Sequence, residues 1–324
     1  MNEGERVRTL TLEEWLLDKQ QNRRTNFGVA FKELHVKGFM AAGHYQSTMS
    51  SYILNIPRTA IKLFSKRYSQ QVQILRSCNG LVGSGEMLLV LGRPGSGCST
   101  FLKTLAGDTQ GIYVENSSSI NYEGEPFSFH PKAVCPICTH QIIGIPYDSM
   151  HYHMKGKCIY TTELDVHFPE MTTGQTLAFA ADMRPNRQSR EPYGSQITSQ
   201  TIASLFNLQN AFHTVVGNAM IRGISGGEKK RTSIAEAFLN ESQLQCWDNS
   251  IRGLDSSTAL KFVKLLRAAA DMLKTTTLTT MYQASERIYQ VVAKVLCNGW
   301  SLTLYRHLIK SHFCTKAIRS TLAR

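Results

Sequence analysis

Nowhere in the 324 residues does an apolar run approach the roughly 18 consecutive positions a membrane-crossing helix needs, so none is expected. The opening residues, Met1 to Leu10, hold no apolar stretch of the kind that marks a signal peptide, and the chain by itself is expected to be soluble and cytosolic. No paired CxxC spacing recurs. The eight cysteines stand mostly alone in apolar or glycine-rich surroundings, which excludes a disulfide framework and reads as cytosolic thiols. No residue type dominates: 42% hydrophobic, 19% charged and 9% aromatic exclude disorder, collagen and fibrous repeats. Acid is in short supply, with 24 Asp and Glu against 36 Lys and Arg, a net +12. That balance would suit nucleic acid, an acidic membrane face or phosphate ligands. The basic residues are scattered, however, without an aromatic-interleaved stripe, so no specific nucleic-acid partner is expected. Part of the excess is local, since Arg306 to Arg324 carries five Lys and Arg and no acid.

What is present begins with a lead-in of mixed character over residues 1–65. A capping-box pattern from Thr11 to Glu14 announces a short helix at Trp15. A strand is expected over Phe27 to Val36, then a loop from Gly38 to Ser51. From Gln73 the pattern becomes short apolar strands that end in glycine-rich turns and feed helices, the alternation of a parallel α/β sheet. The expected strands are Met87 to Leu91, Cys158 to Thr161, Leu244 to Trp247 and Thr276 to Met281. The stretch from 172 to 224 is helical in tendency, with a polar interruption over 184–195, and no internal repeat is visible.

Met87 to Leu91 runs into Gly92, Arg93, Pro94, Gly95, Ser96, Gly97, Cys98, Ser99 and Thr100, then into an apolar-periodic helix with Phe101, Leu102 and Leu105. A strand, a glycine-rich turn and a helix in that order form an anion site, because loop amides and the helix N-terminus converge with positive partial charge. Glycine lets the backbone turn tightly and approach phosphate. The spacing matches a P-loop except that Cys98 stands where lysine is usual. A lone match of this kind is often no more than a tight turn, but the flanking strand and helix are the setting the motif requires. Ser99 is then placed to ligate Mg²⁺ while amides hold the phosphates.

A second glycine-rich helix start follows at Ser225, Gly226, Gly227 and Glu228, ahead of a helix expected over Thr232 to Leu239. A third constellation has Asp248 at the tip of a strand, where a Mg²⁺ site beside a P-loop needs an acid, then Asn249, and then Leu254, Asp255 and Ser256.

In this order the segments GRPGSGCSTFLKTLAG, YTTELDVHFPEMTTGQTL, IRGISGGEKKRTSIAEAFL and CWDNSIRGLDSSTAL resemble the N-terminal nucleotide-binding domain of fungal pleiotropic drug resistance ABC transporters, over residues from near Asn26 to about Tyr305. The resemblance implies the P-loop NTPase cassette fold: a RecA-like parallel core, an antiparallel β subdomain and a helical signature subdomain near 172–224, the whole within 66–305. It implies that 92–100 is the Walker A loop, that Asp248 ends Walker B, that Ser225 to Glu228 is the signature and that Asp255 belongs to the D-loop. Glu163 then stands where a Q-loop glutamine is usual, Asn249 where the catalytic glutamate is, and Tyr282 where the switch histidine is. Asn249 is not basic, Tyr282 with an ordinary pKa of about 10 replaces imidazole poorly, and Cys98 brings no charge.

The expectation is therefore an ATP and Mg²⁺ site that binds and scarcely turns over, beside a signature able to complete a partner cassette's site in a head-to-tail sandwich. A membrane domain is the other implied partner, at the cytoplasmic face of the plasma membrane. The alternatives are a soluble ABC-type ATPase acting on nucleic acid or ribosomes and a non-functional gene fragment. Two departures from the family pattern stand out. Residues 125–144 form an atypical insertion in which Cys135, Cys138 and His140 could begin a zinc site, aided by His130, His151, His153 or Cys158; a surface loop or translated intron is the preferred reading, because a second CxxC is missing. After a hairpin over Lys294 to Tyr305 with an Asn298-Gly299 turn, the basic tail 306–324 replaces the membrane half, and the chain is expected to be a truncated product or a separate subunit.

Overall fold

Five successive buried residues, Met87 to Leu91, make the central strand, and their alternation divides the core in two. Met87, Leu89 and Leu91 face one apolar cluster, Leu88 and Val90 the other. A strand covered on both faces reads as a continuous apolar run, which is why this one was legible. The computed structural model describes residues 27–39, 71–108, 111–122, 145–146, 156–183, 194–240, 242–282, 285–292, 294–297 and 302–305.

The elements in chain order are β1 (Val29–Phe39), β2 (Gln71–Val82), β3 (Met87–Leu91), α1 (Cys98–Ala106), β4 (Ile112–Val114), β5 (Ser119–Tyr122), β6 (Ile145–Pro146), β7 (Cys158–Thr161), α2 (Thr173–Asp182), α3 (Gly194–Leu205), a 3-10 turn (Gln209–Ala211), α4 (Gly226–Leu239), β8 (Leu244–Asp248), α5 (Ser256–Leu273), β9 (Thr276–Thr280), α6 (Glu286–Val291), β10 (Lys294–Cys297) and β11 (Leu302–Tyr305). One sheet has the order β11-β10-β3-β9-β8-β7, parallel except for its β10–β11 pair. The other is antiparallel, β2-β1-β5-β6 with β4 also on β1.

Helix α1 lies between the sheets. Phe101, Leu102 and Leu105 join Phe31, Val36, Leu75 and Tyr122 of the antiparallel sheet in one cluster. Phe31 meets Phe101 edge to face at 5.2 Å, and the Tyr122 hydroxyl donates to the Leu105 carbonyl at 2.9 Å, so the buried phenol keeps a partner. On the other face of the parallel sheet, α2, α4 and α5 supply Leu177, Phe238 and Phe262, with Trp247 of β8 against Phe262 at 5.3 Å.

Several boundaries differ from the sequence expectation. The first strand begins at Val29 and continues through Gly38 and Phe39, which glycine content had assigned to a loop; pairing of Gly38 with Val72 and of Phe39 with Gln71 extends it. The strand carrying Asp248 includes that residue, and β9 stops at Thr280 instead of Met281. Helix α4 starts at Gly226, not Thr232, because Ser225 and Glu228 cap it there. The Thr11 capping box, most of the 38–51 loop, the insertion 125–144 with its zinc candidates other than Cys158, the Asn298-Gly299 turn and the tail 306–324 lie outside the described residues. The antiparallel pairing of β10 with β11 is as a hairpin requires.

Candidate nucleotide-binding site

Parallel strands point their carboxyl ends to one edge of a sheet, and ligands of such sheets bind there. At that edge β3 releases the loop 92–97, β8 delivers Asp248 and Asn249, β9 delivers Thr280 and, just beyond it, Tyr282, and β7 leads to Glu163.

The loop turns on two glycines with left-handed backbone, Gly95 at φ 83° and Gly97 at φ 93°. A side chain on Gly97 would also strike the Ile74 Cγ2 at 2.7 Å, whereas at Gly95 a Cβ would meet nothing within 4 Å among the described residues. The second position is thus closed by β2 and the first faces open space. Arg93, Pro94 and Gly95 are exposed. Helix α1 begins after Gly97 with no side-chain cap and no acid in its first turn, whereas α2, α4 and α5 are capped by Thr172, Ser225 and Asp255. A helix start with no side-chain cap suits an anion. Cys98 brings no cation to the loop. It is 3% exposed within the cluster of Phe31 and Phe101, its Sγ 3.3 Å from the Ser96 Oγ.

Asp248 is 3% exposed and both of its oxygens are held. Oδ1 accepts from Thr280 Oγ1 and Oδ2 from the Tyr160 hydroxyl, each at 2.7 Å. Burial, and then the carboxylate it bonds, push the Tyr160 phenol well above its ordinary value. Lys103 of α1 stands 5.5 Å from the centre of that ring. Asn249 follows in a left-handed conformation, φ 44°, its N–H donating to Thr280 Oγ1 at 2.9 Å and its Nδ2 to Glu163 Oε1 at 3.0 Å. Arg252 binds the same Oε1. The guanidinium holds the Glu163 carboxyl below the usual carboxylate range against the opposing effect of burial, with a lesser contribution from the Asn249 amide. Tyr282 is raised by burial and hydrogen bonded to Ser99. The structure therefore brings Ser99, Asp248, Asn249, Glu163 and Tyr282 into one connected edge, with Tyr160, Thr280 and Arg252 as members that motif reading did not single out. Tyr160 opens one of the quoted family segments and Thr280 lies within an expected strand, but nothing in either pattern marked them as partners of Asp248.

The second glycine-rich start is equally open. Ser225 and Gly226 are exposed, and among the described residues a Cβ on Gly226 or Gly227 would meet nothing within 4 Å. The Ser225 Oγ accepts the Glu228 N–H at 3.3 Å and donates to the Glu228 Oε2 at 2.8 Å, while the Ser225 N–H donates to the same oxygen at 2.8 Å. These bonds hold the Glu228 carboxyl below its ordinary range. One turn on, the buried Lys230 donates to the Glu163 carbonyl at 2.8 Å and to Asp165 at 3.2 Å, tying α4 to the segment after β7. Asp255 caps α5 through the Thr258 N–H at 3.0 Å, and its carboxyl is held low first by Ser257 and then by Thr258.

A P-loop between a buried parallel strand and a bare helix start, with an acid-tipped strand beside it and an antiparallel sheet packed over the loop's helix, defines a P-loop NTPase cassette. The ABC transporter family model matches residues 75–252, and the chain belongs to that family, which binds ATP. The chain is 44% identical over 284 residues to the ABC multidrug transporter atrH of Aspergillus oryzae, a match covering 86% of this chain and 18% of that protein. It is 43% identical over 273 residues to the ABC-type transporter eriD of Hericium erinaceus, covering 83% and 17%, and 44% identical over 273 residues to the ABC multidrug transporter C of Aspergillus fumigatus, again 83% and 17%. These matches agree with a cassette of the fungal pleiotropic drug resistance type. The chain spans less than a fifth of the length of these relatives. Among the described residues no helix is long and apolar enough to cross a membrane, and no cluster of three or more His, Cys, Asp or Glu is arranged for a metal.

Proposed function

We propose that this chain is the nucleotide-binding cassette of a drug-efflux transporter, holding Mg-ATP at Gly92 to Thr100 with negligible turnover and lending Ser225, Gly226, Gly227 and Glu228 to the working site of a second cassette. The observation that carries the first half is what became of the catalytic positions. Asn249 gives its amide to Glu163 and Cys98 is buried in the core, so the first of these two positions offers no base and the second no cation. What remains suits binding: a glycine turn with open space, an uncapped helix start, and two hard oxygen ligands, the Ser99 hydroxyl and the Asp248 carboxylate. One hydroxyl and one carboxylate, completed by waters and phosphate oxygens, fit the way Mg²⁺ is usually held. When bound, the ion would screen phosphate charge and fix the geometry of the triphosphate.

The second half is supported by Gly226 and Gly227. Among the described residues no neighbour forbids a side chain there, so their bareness is read as serving a partner. A sandwich partner whose phosphates approach these amides supplies the reason. For the membrane domain, the support is a groove of about 360 Å³ lined by Leu164, Val166, His167, Phe179 and Met183, where Leu164 and Val166 are 74% and 85% exposed. Apolar side chains grouped this openly suit a protein partner. The unit boundaries follow the same proposal: a cassette over 66–305 with 172–224 as its helical part, between an extension at 1–65 and a tail at 306–324, working at the cytoplasmic face of the membrane.

The test pairs this chain with a relative's catalytic cassette whose own signature has been disabled. The expected result is phosphate release restored by the wild-type chain and abolished by Gly227→Asp. Restoration that survives Gly227→Asp would overturn the lending of the signature.

A further inference from the structure

Carboxylate and carboxamide stand in exchanged places at this edge. By the family resemblance Glu163 occupies a glutamine position and Asn249 a glutamate position, and the structure joins them, Asn249 Nδ2 to Glu163 Oε1 at 3.0 Å. The group missing from β8 is therefore present within hydrogen-bond reach of the same place, delivered from the β7 side, with its backbone carbonyl gripped by Lys230. What keeps it from serving is the third partner. Arg252, three residues after Asn249, bonds the same Oε1, so one oxygen carries two donors. A general base needs basicity as well as a lone pair; the two donors fill the lone pairs of Oε1, and the guanidinium in contact draws charge from the whole carboxylate, so that Oε2 is left a weaker base. Packing does not demand the arginine, for its side chain is 69% exposed.

We propose that Arg252 is a positioning residue that withholds Glu163 from acting as the general base of this nucleotide site. On its release, the Glu163 carboxylate takes a proton from water as the water oxygen bonds to the γ-phosphorus; the bond from that phosphorus to the β,γ-bridging oxygen breaks, giving ADP and inorganic phosphate. The inference rests on the nucleotide reading above. The charged and titratable groups that bear on Glu163 are consistent with it: Arg252 and Lys230 stabilise the anion, and Tyr282 is near enough for its phenol to be pushed up by the carboxylate.

The test uses the purified chain with Mg-ATP, at concentrations where one copy's signature can close on another's P-loop, and follows phosphate release together with retention of ATP. In Arg252→Gln, kcat is expected to rise about a hundredfold, at the low end of what a positioned base supplies, with KM unchanged. Arg252→Lys, which restores a cation beside the carboxylate, should stay near the wild-type rate, and adding Glu163→Gln to Arg252→Gln should remove the gain. Arg252→Met is read in the same way should the glutamine variant lose its cooperative melt. Unchanged kcat in variants that still retain ATP, or a gain that survives Glu163→Gln, overturns the inference while leaving the nucleotide reading intact. Failure of the wild-type chain to retain ATP removes both.

Discussion

Cys98 stands where a P-loop ordinarily offers its lysine, and it is buried as part of the apolar cluster that also holds Phe31, Phe101 and Leu102. Restoring lysine there is not a simple recharging of the loop, because the ammonium must leave an apolar cluster or be buried in it. Cys98→Lys is expected to lower the free energy of unfolding by about 1–3 kcal/mol in a urea titration; unchanged stability would show that the position is freer than its burial implies. Tyr160→Phe removes one of the two donors on the buried Asp248 and should cost roughly 1–2 kcal/mol by the same measurement. At this scale the sequence was informative about residue types and poor about their directions. Ser99, Asp248, Asn249 and Glu163, named from motif order, lie together at the carboxyl edge of the parallel sheet, since motif order places strand ends together. That Asn249 would hold Glu163, and that Arg252 and Tyr160 would complete the network, depends on strand register, which no local pattern encodes.

Two helices here begin with the same device in different chemistry. Thr172 and Gln175 cap α2 with a neutral amide, Ser225 and Glu228 cap α4 with a carboxylate. Glu228→Gln should therefore keep the cap and change stability by no more than about 0.5 kcal/mol. In the proposed sandwich it should also tighten closure, because a negative charge beside an approaching phosphate is removed; weaker or equal dimerisation with Mg-ATP by analytical ultracentrifugation would contradict this. Elements buried on both faces, such as β3, were readable as apolar runs. The start of α4 was not, because glycines lower helix propensity and only the reciprocal cap overrides them. Likewise β1 runs on through Gly38 because β2 and β4 pair with it there.

At the scale of the whole molecule, two apolar clusters lie on the two faces of one parallel sheet, and the site occupies the sheet's carboxyl edge above both. Stability toward acid follows from carboxylates distributed over the fold. Glu115 beside Lys37, Glu163 beside Arg252, Glu228 at the Ser225 cap and Asp255 at the α5 cap all have folded values below their ordinary ones. A depressed carboxyl contributes stability above its unfolded value, near 4, and loses it as pH falls through the folded value. Thermal melting should accordingly be flat from pH 8 to about 5 and decline below about 4, and a melting point that rises on acidification would contradict the assignment. The most direct measurement of the central claim is the identity of the nucleotide the purified chain holds. After incubation with radiolabelled ATP and Mg²⁺ and rapid removal of free ligand, the bound label is predicted to remain ATP over hours; label recovered as ADP, or no label retained at all, would contradict a site that binds without cutting.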